Sequence, residues 1–160
     1  MTIQVFVSRP TVIAARFESQ YVAFQTYLLR KGYCLYRLGA DNYTMDAPLK
    51  GVMRLMRECK AAIVLGYPQF EVKASLSKAE AAQQELAAVF PTPWNQIEAT
   101  LAFKQRIPVI VVAHTGVSGG VFDHGVTGEY VHTADLGMKD WYKKKDFQGV
   151  FQEWQTRIKR

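Results

Sequence analysis

The sequence has 160 residues, of which 49% are hydrophobic and 12% aromatic, and this is enough apolar material for the core of one domain. The net charge of +6 favours anionic ligands. Many of the cations lie in residues 139–160, where they are expected to form a solvated helix face, so nucleic-acid binding is not expected. The apolar content excludes a disulfide-stapled mini-protein, and the two cysteines, which lie outside any C-x-x-C or Cys/His cluster, are expected to be reduced core thiols. No apolar run approaches the ~20 residues of a membrane span, so a cytoplasmic protein without membrane contact is expected.

Hydrophobic periodicity alternates between strand and helix along the chain. The predicted strands cover residues 3–7, 33–38, 61–65, 107–113 and 129–133. The predicted helices contain the apolar positions of residues 17–28, 49–56, 94–106 and 147–158. Turn-forming residues at 39–42 and at 66–68 close two of the strands. The glycines of residues 114–128 predict a long loop.

Residues 70–91 are too long for an ordinary connection between a strand and a helix. The Ser77 to Glu80 stretch has the capping-box pattern, and the alanine-rich segment after it has a high helix propensity. An inserted helical segment at about 70–91 is therefore predicted.

This alternation predicts one α/β domain over residues 1–160, in a flavodoxin-like three-layer fold with a parallel sheet of about five strands. Ligands of such sheets bind beyond the carboxyl ends of the strands. That edge should gather the side chains that follow the strands and the start of the helix at 94. They are Ser8, Arg9, Arg37, Tyr67 and His114.

Glu98 is the best candidate for a catalytic residue. It follows Trp94 by four residues on a helix that Thr92 and Pro93 begin, so both side chains share one face beside the buried stripe. A carboxylate placed there loses water, and its pKa should rise. The alternative is a structural glutamate that is paired with an arginine or caps a backbone amide.

Two family resemblances bear on Glu98. Residues 5–8, 29–33, 48–65 and 106–110 resemble the strands and helix ends of Toll/interleukin-1 receptor (TIR) domains. The stretch from Trp94 to Glu98 is similar to the W-x-x-x-E motif of the NAD-cleaving members. This resemblance implies that Glu98 is the catalytic glutamate, that NAD is a substrate rather than a cofactor, that the chain self-associates and that it serves bacterial defence signalling.

The same stretch also resembles nucleoside 2-deoxyribosyltransferases and nucleotide N-glycosidases, on Glu98 early in its helix and on the Pro-started strand at 108–110. Asn95 and Gln96 stand where that family has a Gly-Thr pair. This second resemblance implies that Glu98 attacks the anomeric carbon. A non-catalytic TIR-like interaction module is the third alternative.

Both enzymatic interpretations predict cleavage of an N-glycosidic bond, in which a carboxylate stabilises the positive charge that develops at the anomeric carbon. Trp94 or Tyr67 is expected to stack on the base, and Ser8, Arg9 or Arg37 to contact phosphate. Asn95 and His114 complete the predicted substrate-binding set. No metal is expected, because Asp123 and His124 have no third ligand at a supporting spacing.

Overall fold

The computed structural model describes residues 2–37, 47–77 and 84–159, with the side chains of 74–77 and 84–86 left out of the description. The strands are β1 (Ile3–Ser8), β2 (Tyr33–Tyr36), β3 (Ala61–Gly66), β4 (Phe70–Ser77), β5 (Gln84–Phe90), β6 (Val109–His114) and β7 (Val131–Ala134). The helices are α1 (Ala15–Arg30), α2 (Pro48–Arg57), α3 (Pro93–Lys104) and α4 (Lys145–Lys159). Single 3-10 turns lie at Gly120–Phe122 and Trp141–Lys143.

Five strands form one parallel sheet in the order β2-β1-β3-β6-β7, which confirms the predicted flavodoxin-like fold. The central strand β3 is buried at all six positions, as expected of a strand that is covered on both faces. Pro108 lacks an N–H, so the strand expected from 107 begins its pairing at Val109. The weakest predicted strand, at 129–133, is present as β7.

The alternation of side chains along β3 divides the core between two faces of the sheet. Ala61, Ile63 and Leu65 face an aromatic layer that is contributed largely by α1 and α4. Ala62 and Val64 face the opposite side, where α2 and α3 pack. The three layers are therefore helices, sheet and helices, and α3 lies on the face opposite to α4.

The prediction of a helix at 70–91 was wrong for the described part of that segment. β4 and β5 form an antiparallel hairpin, whose base is closed by the Gln69 backbone N–H donating to the carbonyl oxygen of Phe90 at 3.0 Å. Cross-strand pairing outweighs the helix propensity of alanine here, because propensity is a weak preference that tertiary context overrides. Residues 78–80 of the predicted capping box, and the predicted turn at 39–42, lie outside the described residues.

In the described segments, no helix combines the length and the apolar character that a membrane span needs.

Candidate active site

The start of α3 places the central carboxylate of the site. The Oγ1 of Thr92, the N-cap residue, accepts a hydrogen bond from the Asn95 backbone N–H at 3.3 Å, and Pro93 occupies the first turn. Because α3 packs on β1 and β3, its second turn lies beside the carboxyl end of β1. Glu98 thereby meets Ser8, the last residue of that strand.

Glu98 makes a short hydrogen bond to a neutral hydroxyl. The Ser8 Oγ donates to Glu98 Oε2 at 2.5 Å, and Ser8 itself is fully buried. Glu98 lies too far along α3 to cap its first amides. The positive charge of Arg37 also acts on Glu98, so a structural role beside an arginine stays an alternative.

Burial is the main influence on the protonation of Glu98, and it raises the pKa of the carboxyl group from 4.5 to about 7. The hydrogen bond from Ser8 and the positive charge of Arg37 act in the opposite direction, because both favour the ionised form. Glu98 therefore exchanges between its acid and its carboxylate near neutral pH, which suits a residue that must carry charge or transfer a proton.

Glu98 opens onto a cavity of about 250 Å³ at the carboxyl edge of the sheet. The cavity is lined by Val7, Arg9, Pro10, Thr11, Arg37, Pro48, Val52, Thr92, Trp94 and Glu98. It brings together an aromatic ring, two guanidinium groups and one carboxylate. This composition fits a ligand with a planar group and a negative charge.

Trp94 contributes an accessible aromatic surface, since the residue is 43% exposed. The sequence left open whether this ring belongs to the core, and the structure places it at the cavity instead. The buried side of α3 consists of Asn95, Ala99 and Ala102, while Ile97 is exposed. A ring in this position can stack on a planar ligand.

The two arginines enter the cavity from neighbouring strands. Arg37 follows β2, and its positive charge acts to lower the pKa of Glu98. The Arg9 side chain is only 8% exposed, and its guanidinium lies 4.1 Å from the ring centroid of Tyr21. Its Nη1 donates to the Pro10 carbonyl oxygen at 3.0 Å, while its buried Nε has no partner within the described residues.

Tyr67 does not reach this cavity, which corrects the expectation that it stacks on a base. Its side chain is fully buried, and its ring packs against Phe17 at a centroid distance of 5.2 Å. The residue directly after β3 turns back into the aromatic layer that α1 and α4 supply. Of the two predicted stacking residues, only Trp94 is available.

His114 also lies apart from Glu98. Its Nδ1 accepts the Leu136 backbone N–H at 3.1 Å, and its burial lowers the pKa of the imidazole, so the ring is neutral. The residue lines a different cavity, together with Arg16 and Glu71. Its expected contact with the substrate of the Glu98 site is therefore corrected.

Asn95 is close to Glu98 but faces inward. Its side-chain amide donates from Nδ2 to Ser8 Oγ at 2.9 Å, and the residue is 1% exposed. It was expected to contact substrate, and the structure gives it a supporting contact instead. Thr92, whose Oγ1 donates to Asn95 Oδ1 at 3.1 Å, was recognised from the sequence only as a helix cap.

Gln96 ties α3 to the loop before the first 3-10 turn, a role that the sequence analysis missed. Its Nε2 donates to the Gly119 carbonyl oxygen at 2.8 Å, and its Oε1 accepts the Val121 backbone N–H at 2.9 Å. The glycine-rich composition of that loop was visible in the sequence, but the partner that fixes it was not. The clamp holds the helix that carries Glu98.

In the ranges 2–37, 47–77 and 84–159, no three His, Cys, Asp or Glu side chains form a group that could hold a metal ion. Asp123, one of the two residues considered for metal binding, accepts the Gly119 backbone N–H at 2.7 Å.

Comparison with known proteins shows that the fold is similar to that of a solved structure. No protein-family model matches the sequence, and no curated protein matches it. Among solved structures, the chain is similar to the CMP N-glycosidase BcmB of Clostridium botulinum, with a TM-score of 0.55 and 14% sequence identity. The similarity covers 94% of this chain and 98% of that chain. At this level of sequence identity the similarity concerns the fold, which is the α/β fold described above.

Proposed function

We propose that this protein cleaves the N-glycosidic bond of a nucleotide, with Glu98 as the carboxylate that faces the anomeric carbon. The observation that carries the proposal is the position of Glu98, whose pKa of about 7 allows both protonation states, in one cavity with Trp94 and two arginines. The likeness of fold to a nucleotide N-glycosidase supports this choice among the alternatives.

The proposed reaction uses the charge of Glu98 at the step in which the bond breaks. The bond between the base nitrogen and the anomeric carbon breaks, and its electron pair leaves with the base, which takes up a proton. Positive charge then develops on the sugar, and ionised Glu98 stabilises it. A water molecule adds its oxygen to the anomeric carbon and loses a proton, so that a free base and a sugar phosphate result.

The charge of the cavity favours a phosphorylated ligand, and its volume of about 250 Å³ suits one sugar with part of its base. The guanidinium groups of Arg9 and Arg37 suit a phosphate. Trp94, at the cavity, is placed to stack on the base.

The test is to incubate the protein with nucleoside 5′-monophosphates, beginning with CMP, and to separate free base from nucleotide by chromatography. Glu98→Gln should lower the rate of base release by about 10²-fold or more, the range for loss of a positioned acid or base. Glu153→Gln is the matched control, because Glu153 lies on α4 at the opposite face of the sheet, where it pairs with Arg157 at 3.2 Å. Equal rates in Glu98→Gln and the parent protein would contradict the proposal.

The same assay separates the alternatives. Release of nicotinamide from NAD without cleavage of any monophosphate would favour the NAD-cleaving interpretation. Transfer of deoxyribose from one base to another would favour a deoxyribosyltransferase. The absence of any turnover by the folded parent protein would leave an interaction module.

A further inference from the structure

Four polar side chains form a continuous line that ends at Glu98. Thr92 Oγ1 lies 3.1 Å from Asn95 Oδ1, Asn95 Nδ2 lies 2.9 Å from Ser8 Oγ, and Ser8 Oγ lies 2.5 Å from Glu98 Oε2. Ser8 is fully buried and Asn95 is 1% exposed. Water therefore does not compete for the two middle members of the line, and we call these four side chains the Glu98 relay.

The number of protons on each group gives the Glu98 relay a direction. Thr92 Oγ1 already accepts the Asn95 backbone N–H, so its own proton goes to Asn95 Oδ1. The amide of Asn95 then presents its NH₂ group to Ser8. Ionised Glu98 can only accept, so the single proton of Ser8 goes to Glu98 Oε2, and every bond then donates toward the carboxylate.

We propose that Asn95 is a positioning residue, which holds the Ser8 hydroxyl as a permanent donor to Glu98 Oε2 and so makes the other carboxylate oxygen the one offered to the substrate. The catalytic consequence rests on the proposed function, whereas the effect on Glu98 itself does not.

Capping of the helix does not need this arrangement, because Thr92 already caps the helix start through the backbone of Asn95. A donor amide there has a different effect. It prevents Ser8 from turning its hydroxyl away from Glu98, at a site where burial alone favours the protonated acid.

Asn95→Asp is the sharpest change, because it keeps the shape of the side chain and reverses its chemistry. An ionised aspartate accepts from Ser8, so the hydroxyl is drawn away from Glu98 while a negative charge is added nearby. The position is 1% exposed, so the charge has a desolvation cost, which the favourable position of an acidic residue in the first turn of a helix partly offsets. The loss of the Ser8 hydrogen bond and the added negative charge both raise the pKa of Glu98. The effect of the charge must therefore be separated from the effect of the lost hydrogen bond.

A double-mutant cycle makes that separation. The Glu98 titration is followed by NMR of protein that is ¹³C-labelled at the glutamate side-chain carboxyl, and the resonance is assigned as the one that Glu98→Gln lacks. The four proteins are the parent, Ser8→Ala, Asn95→Asp and the combination. Arg9 and Arg37, the other charged groups that line the cavity, are unchanged in all four.

The Glu98 relay predicts that Ser8→Ala and Asn95→Asp each raise the titration midpoint of Glu98 by about one unit or more. It further predicts that Asn95→Asp has at most about half of that effect when Ser8 is already alanine, since the hydroxyl can no longer be diverted. An equal shift in both backgrounds would show that the added charge acts through space and would overturn the proposal.

Two controls keep the outcome decisive. If Ser8→Ala does not fold, as judged by far-ultraviolet circular dichroism, the cycle is built with Ser8→Gly, which also removes the donor. Failure of the proposed function is distinguishable, because the titration needs no turnover. Where base release is measurable, its pH profile should move with the Glu98 midpoint in each variant, and a profile that stays at its parent position would also count against Asn95.

Discussion

The Glu98 carboxyl is costly to the folded state when it is ionised. Burial raises its pKa from 4.5 to about 7, so the folded protein holds the proton more tightly than the unfolded chain does. Stability contributed by this group is fully present below pH 4.5 and is lost as the pH rises through about 7. A residue that weakens the fold at neutral pH in this way is typical of a functional site.

Glu98→Gln should therefore stabilise the protein in a pH-dependent manner. Glutamine can still accept the Ser8 hydrogen bond and carries no charge. The difference in unfolding free energy between the variant and the parent should grow by up to about 3 kcal/mol between pH 4 and pH 9. Urea unfolding at several pH values, followed by tryptophan fluorescence, measures it. A difference that is the same at pH 4 and pH 9 would show that Glu98 titrates normally, and Glu153→Gln is the exposed control.

The sequence makes Glu98 a candidate from its spacing and neighbours, but it did not predict the directions of the side chains around it. Tyr67 follows a strand at the correct edge of the sheet, yet its ring turns into the aromatic layer. Asn95 belongs to the site but is bonded to Ser8, which is distant in sequence. The direction of each side chain depends on which residues from distant parts of the chain pack beside it, and the local sequence pattern does not contain that information.

Among the elements, α3 is held by hydrogen bonds on two sides of its first turns. Ser8 anchors its inner side to β1, and Gln96 anchors its outer side to the loop that follows β6. The elements themselves were largely predictable, since the hydrophobic period identifies α1, β3 and α4. The β4–β5 hairpin was not, because its alanine-rich sequence favours a helix and only pairing between the two strands makes it a hairpin.

Gly120→Ala should disrupt the Gln96 clamp. Gly120 has a φ of +59°, and an added Cβ would lie 2.4 Å from Gln96 Oε1, so that the side chain must move and release the Val121 amide. We expect a loss of about 2–3 kcal/mol in unfolding free energy, from backbone strain and the broken hydrogen bonds.

Gly128→Ala is the matched control for that change. Its φ of +74° also lies at the left-handed helical region, but nothing lies within 4 Å of the added Cβ. Denaturant unfolding of both variants isolates the clamp, which should account for at least about 1 kcal/mol of the difference. Equal losses in the two variants would mean that Gln96 relaxes without cost.

At the scale of the whole molecule, the proposed site lies beside two neighbouring strands whose helical connections run on opposite faces of the sheet. β1 and β3 are neighbours in the sheet, while the chain leaves β1 through α1 on one face and enters β3 from α2 on the other. A crevice beyond the carboxyl ends of such strands is where ligands bind in doubly wound folds. Arg9 and Arg37, which line this crevice, give it a positive field that attracts anions.

Because salt screens this field, the effect of ionic strength on binding tests whether the cavity recognises the charge of its ligand or only its shape. Binding is measured by calorimetry with Glu98→Gln, which does not turn the ligand over, using a nucleoside 5′-monophosphate and the corresponding uncharged nucleoside. Raising the salt from about 0.05 to about 0.5 M shortens the screening length severalfold, so the Kd of the nucleotide should rise by about threefold to tenfold. The Kd of the nucleoside should stay nearly constant, because stacking on Trp94 carries no net charge. If both ligands respond equally to salt, the arginines do not recognise the phosphate, and the cavity selects its ligand by shape alone.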